Sequence, residues 1–359
     1  MREILETSRF PNGLVVLTDR MEGVRSATLG FFYRVGSRDE PAELNGISHF
    51  IEHTIFKGTH RRSALDIAIE MDRLGGNVEA FTSHEETGFV AKVIDEQLPA
   101  AFEMIADMLT DPLFDESELK AEQRVIIEEL KMTEDSPEEY LGEIFSRKFF
   151  PDHPLGMSIA GTPKTVRSFD GKVTRRYHRR MYTPSNLIIA AAGNVNHSSI
   201  VKLAEKYFAG NGTNARKSKT KYPRPVYASP VVIKRNVNLE QAHMILATPY
   251  VSAGDDRRYA ADLLTNILGG GTSSRLWQKV REDRGLAYSV GASNAMFRDC
   301  GFFSVYAGTS PKQTEQVLDI AISELRRLIS DGVTIDELLL AKQQAVASIL
   351  LGLEDSAAR

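Results

Sequence analysis

The feature that most constrains this chain is that it repeats itself. In the first half, "HFIEHTIFKGT" (49–59) precedes a helical stretch and then "GGNVEAFTS" (75–83). In the second, "DLLTNILGGGT" (262–272) precedes a helical stretch and then "RGLAYSVGAS" (284–293). Farther along, "DESELKAEQRVIIEELKMTEDS" (115–136) matches "TIDELLLAKQQAVASILLGLEDS" (334–356). Three segments in one order and at similar spacing point to two copies of one unit. A chain of 359 residues is also long for a single core. The stretch 209–225, "AGNGTNARKSKTKYPRP", lacks apolar periodicity and reads as a linker between domains 1–208 and 226–359. Setting Ser136 against Ser356 makes the second copy stop early, so the expectation is a second domain truncated at its C-terminus.

Local patterns give the class. "GLVVLTDR", "ATLGFFYRVGS" and "NLIIAAAGNV" read as strands from their β-branched and aromatic runs. "SALDIAIEMDRLGG" reads as a helix capped by Ser63, with Asp66 three residues on and Gly75-Gly76 at its end. "DESELKAEQRVIIEELKMTED" is a second helix, long and charged along one side. The predicted class is α+β.

Composition removes several functions. Hydrophobic residues make up 42% and charged residues 26%, as in a globular protein. A net charge of −4 offers nothing to nucleic acid or to an anionic membrane. No apolar run approaches the roughly 20 residues that span a bilayer. The start lacks a secretory pattern, and a cytoplasmic location is the default. One cysteine, Cys300, excludes an internal disulfide and reads as a small apolar residue in a strand.

The chemistry concentrates at residues 49–53. His49 and His53 are four apart and share a helix face, which Glu52 joins. Two neutral imidazoles one turn apart can reach one zinc ion, and a catalytic zinc needs a third ligand and an open vertex. A carboxylate beside the water can then act as general base. H-x-x-E-H is the inverzincin order. The competing reading is a packed or surface histidine pair. Against it stands Glu52 in an otherwise apolar helix with Phe50, Ile51 and Ile55, where an unpaired ionised carboxylate is costly. Aligning Gly58 with Gly271 sets Asp262, Thr265 and Asn266 where the first copy has His49, Glu52 and His53. Only the first copy can therefore hold the ion, one Zn2+ per chain. His60, His153, His178, His197 and His243 lack partners at ligand spacing, and the glycines at 269–271 lack the lysine of a phosphate loop.

The pentad followed by "AEQRVIIEELKMTEDSPEEY" resembles the pitrilysin and insulin-degrading group of zinc peptidases, and most of all the bacterial branch similar to the mitochondrial processing peptidase. The resemblance implies a third ligand about 75 residues past the second histidine, which selects Glu129. Glu128 would point about 100° away on an ideal helix. It also implies that Glu122, two turns earlier, backs a ligand or the water. "GGGTSSRLWQKVREDRGLAYSVGAS" is similar to the family segment whose Arg and Tyr steady the developing oxyanion, here Arg281 and Tyr288. "GGNVEAFTSHEETGF" looks like the family's edge strand, which would pair with a peptide backbone along Asn77, Glu79, Ala80, Phe81 and Thr82. Glu79 stands where relatives often have Asn. His84, just beyond, is weighed as an extra ligand and set aside.

The family further implies two homologous domains, each a β-sheet with helices on one face, and chains that pair as a homodimer or with a related subunit around a closed chamber. The expected function is a zinc endopeptidase acting on extended peptides. The alternative is a non-catalytic, substrate-holding member of the family.

Overall fold

The computed structural model describes residues 5–210, 225–228, 230–236 and 238–359. Most of the linker read at 209–225 therefore lies outside the described residues.

The chain forms two compact units that exchange segments. Among the described residues, the first comprises those within 1–132, 157–221 and 352–359, and the second those within 133–156 and 222–351. In the first unit the elements run β1 (Leu5–Arg9), β2 (Val15–Arg20), β3 (Ser26–Tyr33), α1 (Ile47–Ile55), α2 (Ala64–Leu74), β4 (Asn77–Thr82), β5 (Thr87–Ile94), α3 (Leu98–Thr110) and α4 (Glu116–Asp135), which belongs to this unit as far as Met132. Helix α5 (Pro137–Phe149) belongs to the second unit. The first unit resumes with the single turn α6 (Pro163–Val166), then α7 (Gly171–Met181), β6 (Leu187–Gly193) and α8 (His197–Phe208).

Its six strands are ordered β1-β2-β6-β3-β5-β4, with β2 and β6 parallel and the other pairs antiparallel. Alternation sets the two faces of this sheet. Leu29, Phe31 and Tyr33 of β3 are fully buried, and register places Phe31 beside Phe89 of β5 and Ile189 of β6. Phe31 then meets Phe102 of α3 edge-on at 5.0 Å and Phe208 of α8 at 6.0 Å. Helix α1 adds Ile47, Phe50, Ile51 and Ile55 to the same core, so its opposite side carries His49, Glu52 and His53. On the other face of the sheet, Thr28 meets Ser356 and Lys92 meets Asp355.

The second unit carries β7 (Ala242–Pro249), α9 (Arg258–Gly269), a π-helical turn (Trp277–Glu282), β8 (Ala287–Met296), β9 (Gly301–Thr309), α10 (Thr314–Asp331) and α11 (Ile335–Gly352). Its sheet has the order β7-β9-β8, the counterpart of β3-β5-β4. Leu268, Leu276, Val290, Val305 and Val317 form its core. The element sequence strand, two helical segments, two strands, two helices occurs in both units, and the duplicated α+β architecture expected from the sequence is present. Cys300 is buried among Phe149, Phe150 and Leu155.

Candidate metal centre

Helix α1 begins at Gly46, whose backbone is left-handed at φ 94°. A side chain here would collide with the backbone of Ala160 and Gly161, so glycine is required for both the turn and the close approach. The buried Glu40 carboxylate accepts the N–H groups of Gly46 at 2.6 Å and Ser48 at 2.8 Å. It thus serves donors that α1 leaves open at its first turn. Burial pushes Glu40 up to about 7, against the lowering effect of those donors.

One turn into α1, His49 and His53 lie with ring centroids 4.6 Å apart. Glu129 of α4 faces both, with Oε1 3.8 Å from His49 Nε2 and Oε2 3.7 Å from His53 Nε2. Ligand atoms of the three residues all lie within 4.8 Å of one another, and no other group of three or more such residues occurs among the described residues. These separations are too long for hydrogen bonds. Two ligands on one tetrahedral zinc stand ~3.3–3.6 Å apart, close to what is found. Glu129 Oε2 and His49 Nδ1 are buried without a hydrogen-bond partner among the described residues. The donor set therefore fits a zinc ion. Glu128 instead points outward and pairs with Lys131 at 2.7 Å.

The surrounding groups orient this set. His53 Nδ1 donates to Glu122 Oε2 at 3.2 Å, which leaves Nε2 directed at Glu129. Glu122 is only 5% exposed, and its other oxygen takes Lys57 Nζ at 2.7 Å. Burial alone would raise Glu122, but the His53 and Lys57 bonds hold it below the usual carboxylate range. His49 is lowered to about 4 by burial and by the neighbouring His53. Glu52 is raised by burial, opposed by a hydrogen bond from Thr82 and by His53.

Strand β4 is an edge strand, paired only with β5. Its alternation turns Val78, Ala80 and Thr82 toward the core side and Asn77, Glu79 and Phe81 outward. Thr82 Oγ1 donates to Glu52 Oε2 at 2.8 Å, which ties the strand end to the pentad. Asn77 Nδ2 donates to Glu79. His84 binds Ser37 at 2.8 Å instead of joining the ligand group.

Arg281 and Tyr288 stand together in the second unit. Tyr288 is the extra residue of a β-bulge, since Ala287 and Ser289 face the adjacent positions Thr309 and Gly308. The bulge turns its ring outward, 77% exposed. Its carbonyl accepts Arg281 Nη1 at 2.6 Å. The guanidinium lies over two rings, 4.2 Å from the Trp277 centroid and 4.7 Å from that of Tyr288. At the second copy's counterpart of the pentad, Asn294 Nδ2 donates to Asp262 and Thr265, both at 3.1 Å.

Lys57, Trp277 and Glu40 escaped the reading of the sequence. The i+4 step from His53 to Lys57 was the available signal for the first. The remaining histidines are structural or surface groups: His197 bridges Ser8 and Thr18, and buried His178 bonds the Leu109 carbonyl at 3.0 Å.

The repeated sheet-and-helix unit brings two imidazoles and a carboxylate together in its first copy, an arrangement that could hold a metal ion. Residues 15–163 match the model described as Insulinase (Peptidase family M16), and residues 168–345 match Peptidase M16 inactive domain. An uncharacterized zinc protease of Streptomyces coelicolor is 43% identical over 97% of this chain and 77% of its own length. Another, from Bacillus subtilis, is 40% identical over 96% and 83%. A protease from Helicobacter pylori superposes with a TM-score of 0.91 at 25% identity, covering 99% of this chain and 87% of that one. A peptidase M16 inactive domain from Pseudomonas fluorescens gives 0.87 at 20% identity, covering 96% and 84%. The chain belongs to peptidase family M16. No described helix is long and apolar enough to cross a membrane.

Proposed function

We propose that this chain is a zinc endopeptidase of the processing-peptidase-like branch that cleaves extended or unfolded peptides inside a closed chamber. The observation that carries the reading is the convergence of His49, His53 and Glu129, with Glu52 held beside them by Thr82. His49, His53 and Glu129 hold the ion, and Glu122 fixes His53. Zinc, when bound, supplies a Lewis acid and a water acidified toward neutrality. Glu52 takes the proton of the attacking water, and its raised pKa suits a base that must later return that proton. A peptide adds to β4 along residues 77–82 by backbone pairing, with little demand on its sequence. Tyr288 and Arg281 donate toward the developing oxyanion.

The division 1–208 and 226–359 separates the copy with ligands from the copy without them. Chains pair, with themselves or with a related subunit, to enclose the substrate, in the cytoplasm.

The test is cleavage of a quenched, unstructured peptide. Activity should need zinc, fall with a chelator, and vanish in Glu52→Gln while that variant keeps its metal. Stoichiometric zinc without turnover in either form would replace this reading with that of a substrate-holding subunit.

A further inference from the structure

His49, His53 and Lys57 follow one another at intervals of four, and the third has no place in the chemistry above. Lys57 lies two residues beyond α1, where its backbone N–H still donates to the Thr54 carbonyl at 3.1 Å. Its side chain is about a third exposed, while its partner, Glu122, is buried. The carboxylate has two oxygens and divides them: Oε1 accepts from Lys57 at 2.7 Å, and Oε2 accepts from His53 Nδ1 at 3.2 Å. A carboxylate gripped at one oxygen only can swing about its last bond. Gripped at both, it presents a fixed acceptor to the imidazole.

Resting on the metal-centre reading, we infer that Lys57 is a positioning residue for zinc, acting through Glu122 to hold His53 with its Nε2 turned toward Glu129. Without Lys57, Glu122 Oε1 is a buried charged atom lacking its donor, and the carboxylate must turn to find another. The His53 ring then loses its fixed orientation. Groups that orient metal ligands in this way are commonly worth 10–100-fold in affinity.

The sign of the effect separates this role from a bystander's. A lysine that merely stood near the site would repel a divalent cation, and removing it would tighten zinc binding. Removing a positioning lysine weakens it.

The experiment measures the zinc dissociation constant of the metal-free full chain by competition with a chromophoric chelator, alongside its thermal unfolding without metal. Wild type should bind one zinc and His49→Ala none. Failure of that comparison would sink the metal-centre reading itself. Given that result, Lys57→Met should bind zinc about tenfold more weakly, and Lys57→Arg should stay within about threefold of wild type. Glu122→Gln should lose about 10–100-fold, and adding Lys57→Met to it should cost nothing more, because the two act in series. The comparison within the Glu122→Gln background leaves no uncompensated carboxylate, so it remains readable if Lys57→Met alone folds poorly. Unchanged or tighter binding in Lys57→Met overturns the inference, as does an additive loss in the double variant.

Discussion

At the scale of single residues, the histidine pair of the candidate metal centre is the part of the site that pattern alone can locate. The i, i+4 step of His49 and His53 is intrinsic to a helix and visible in any listing of residues. Glu129 is not, because nothing local ties α4 to α1, and only family spacing selected it. Each should be indispensable to the metal: His53→Ala and Glu129→Gln are expected to abolish stoichiometric zinc binding, measured by metal analysis after dialysis. Glu52→Gln is expected to retain zinc and to lose at least about 10²-fold in the peptide assay. Glu40 went unread because its role depends on a loop folding back over the start of α1. Its folded pKa, about 7, lies above its ordinary value near 4.5. The folded state therefore binds more protons than the unfolded one between those limits. The contribution of Glu40 is fully present below about pH 4.5 and is lost as pH rises through 7. Denaturant titrations at pH 5 and pH 8 should show wild type losing stability relative to Glu40→Gln over that window. A difference that stays flat would refute the assignment.

At the scale of elements, boundaries and caps were legible where the chemistry is local. Ser63 accepts the Asp66 N–H at 3.1 Å, and Asp66 accepts back from Ser63 at 2.9 Å, a reciprocal cap for α2. Ser63→Ala should lower unfolding free energy by about 1 kcal/mol without altering zinc affinity, by chemical denaturation and chelator competition. Pairing between strands is not local, and there the reading stopped short. Tyr288 was recognisable as a strand aromatic, but the bulge that re-aims it depends on the register of β8 against β9. The π-helical turn that stacks Trp277 on Arg281 is equally invisible to a 3.6-residue pattern. The edge position that the family resemblance implied for β4 is the one it occupies in the sheet order. If substrates add there, N-methylation of the peptide backbone opposite residues 77–82 should weaken KM at least about tenfold, while side-chain changes at those positions should matter less.

At the scale of the whole molecule, duplication was the most readable property and the exchange of segments between units the least. Residues 133–156 and 352–359 each pack with the unit that the order of the chain would not suggest, since compactness is decided by burial and not by sequence proximity. Zinc at His49, His53 and Glu129 would join α1 to α4 within the first unit. Loading at 100 times its dissociation constant should add about 2.7 kcal/mol to the stability of that unit, read as a shift in its thermal unfolding. Trp277 is the chain's lone tryptophan, and it lies in the other unit, beneath a guanidinium. Excited at the red edge of the aromatic band, where its 11 tyrosines do not absorb, the emission of this protein is thus a single-address signal. A fluorimeter, with no label attached, listens to the Arg281 corner alone, and any event that lifts that side chain off the indole will announce itself in colour and intensity.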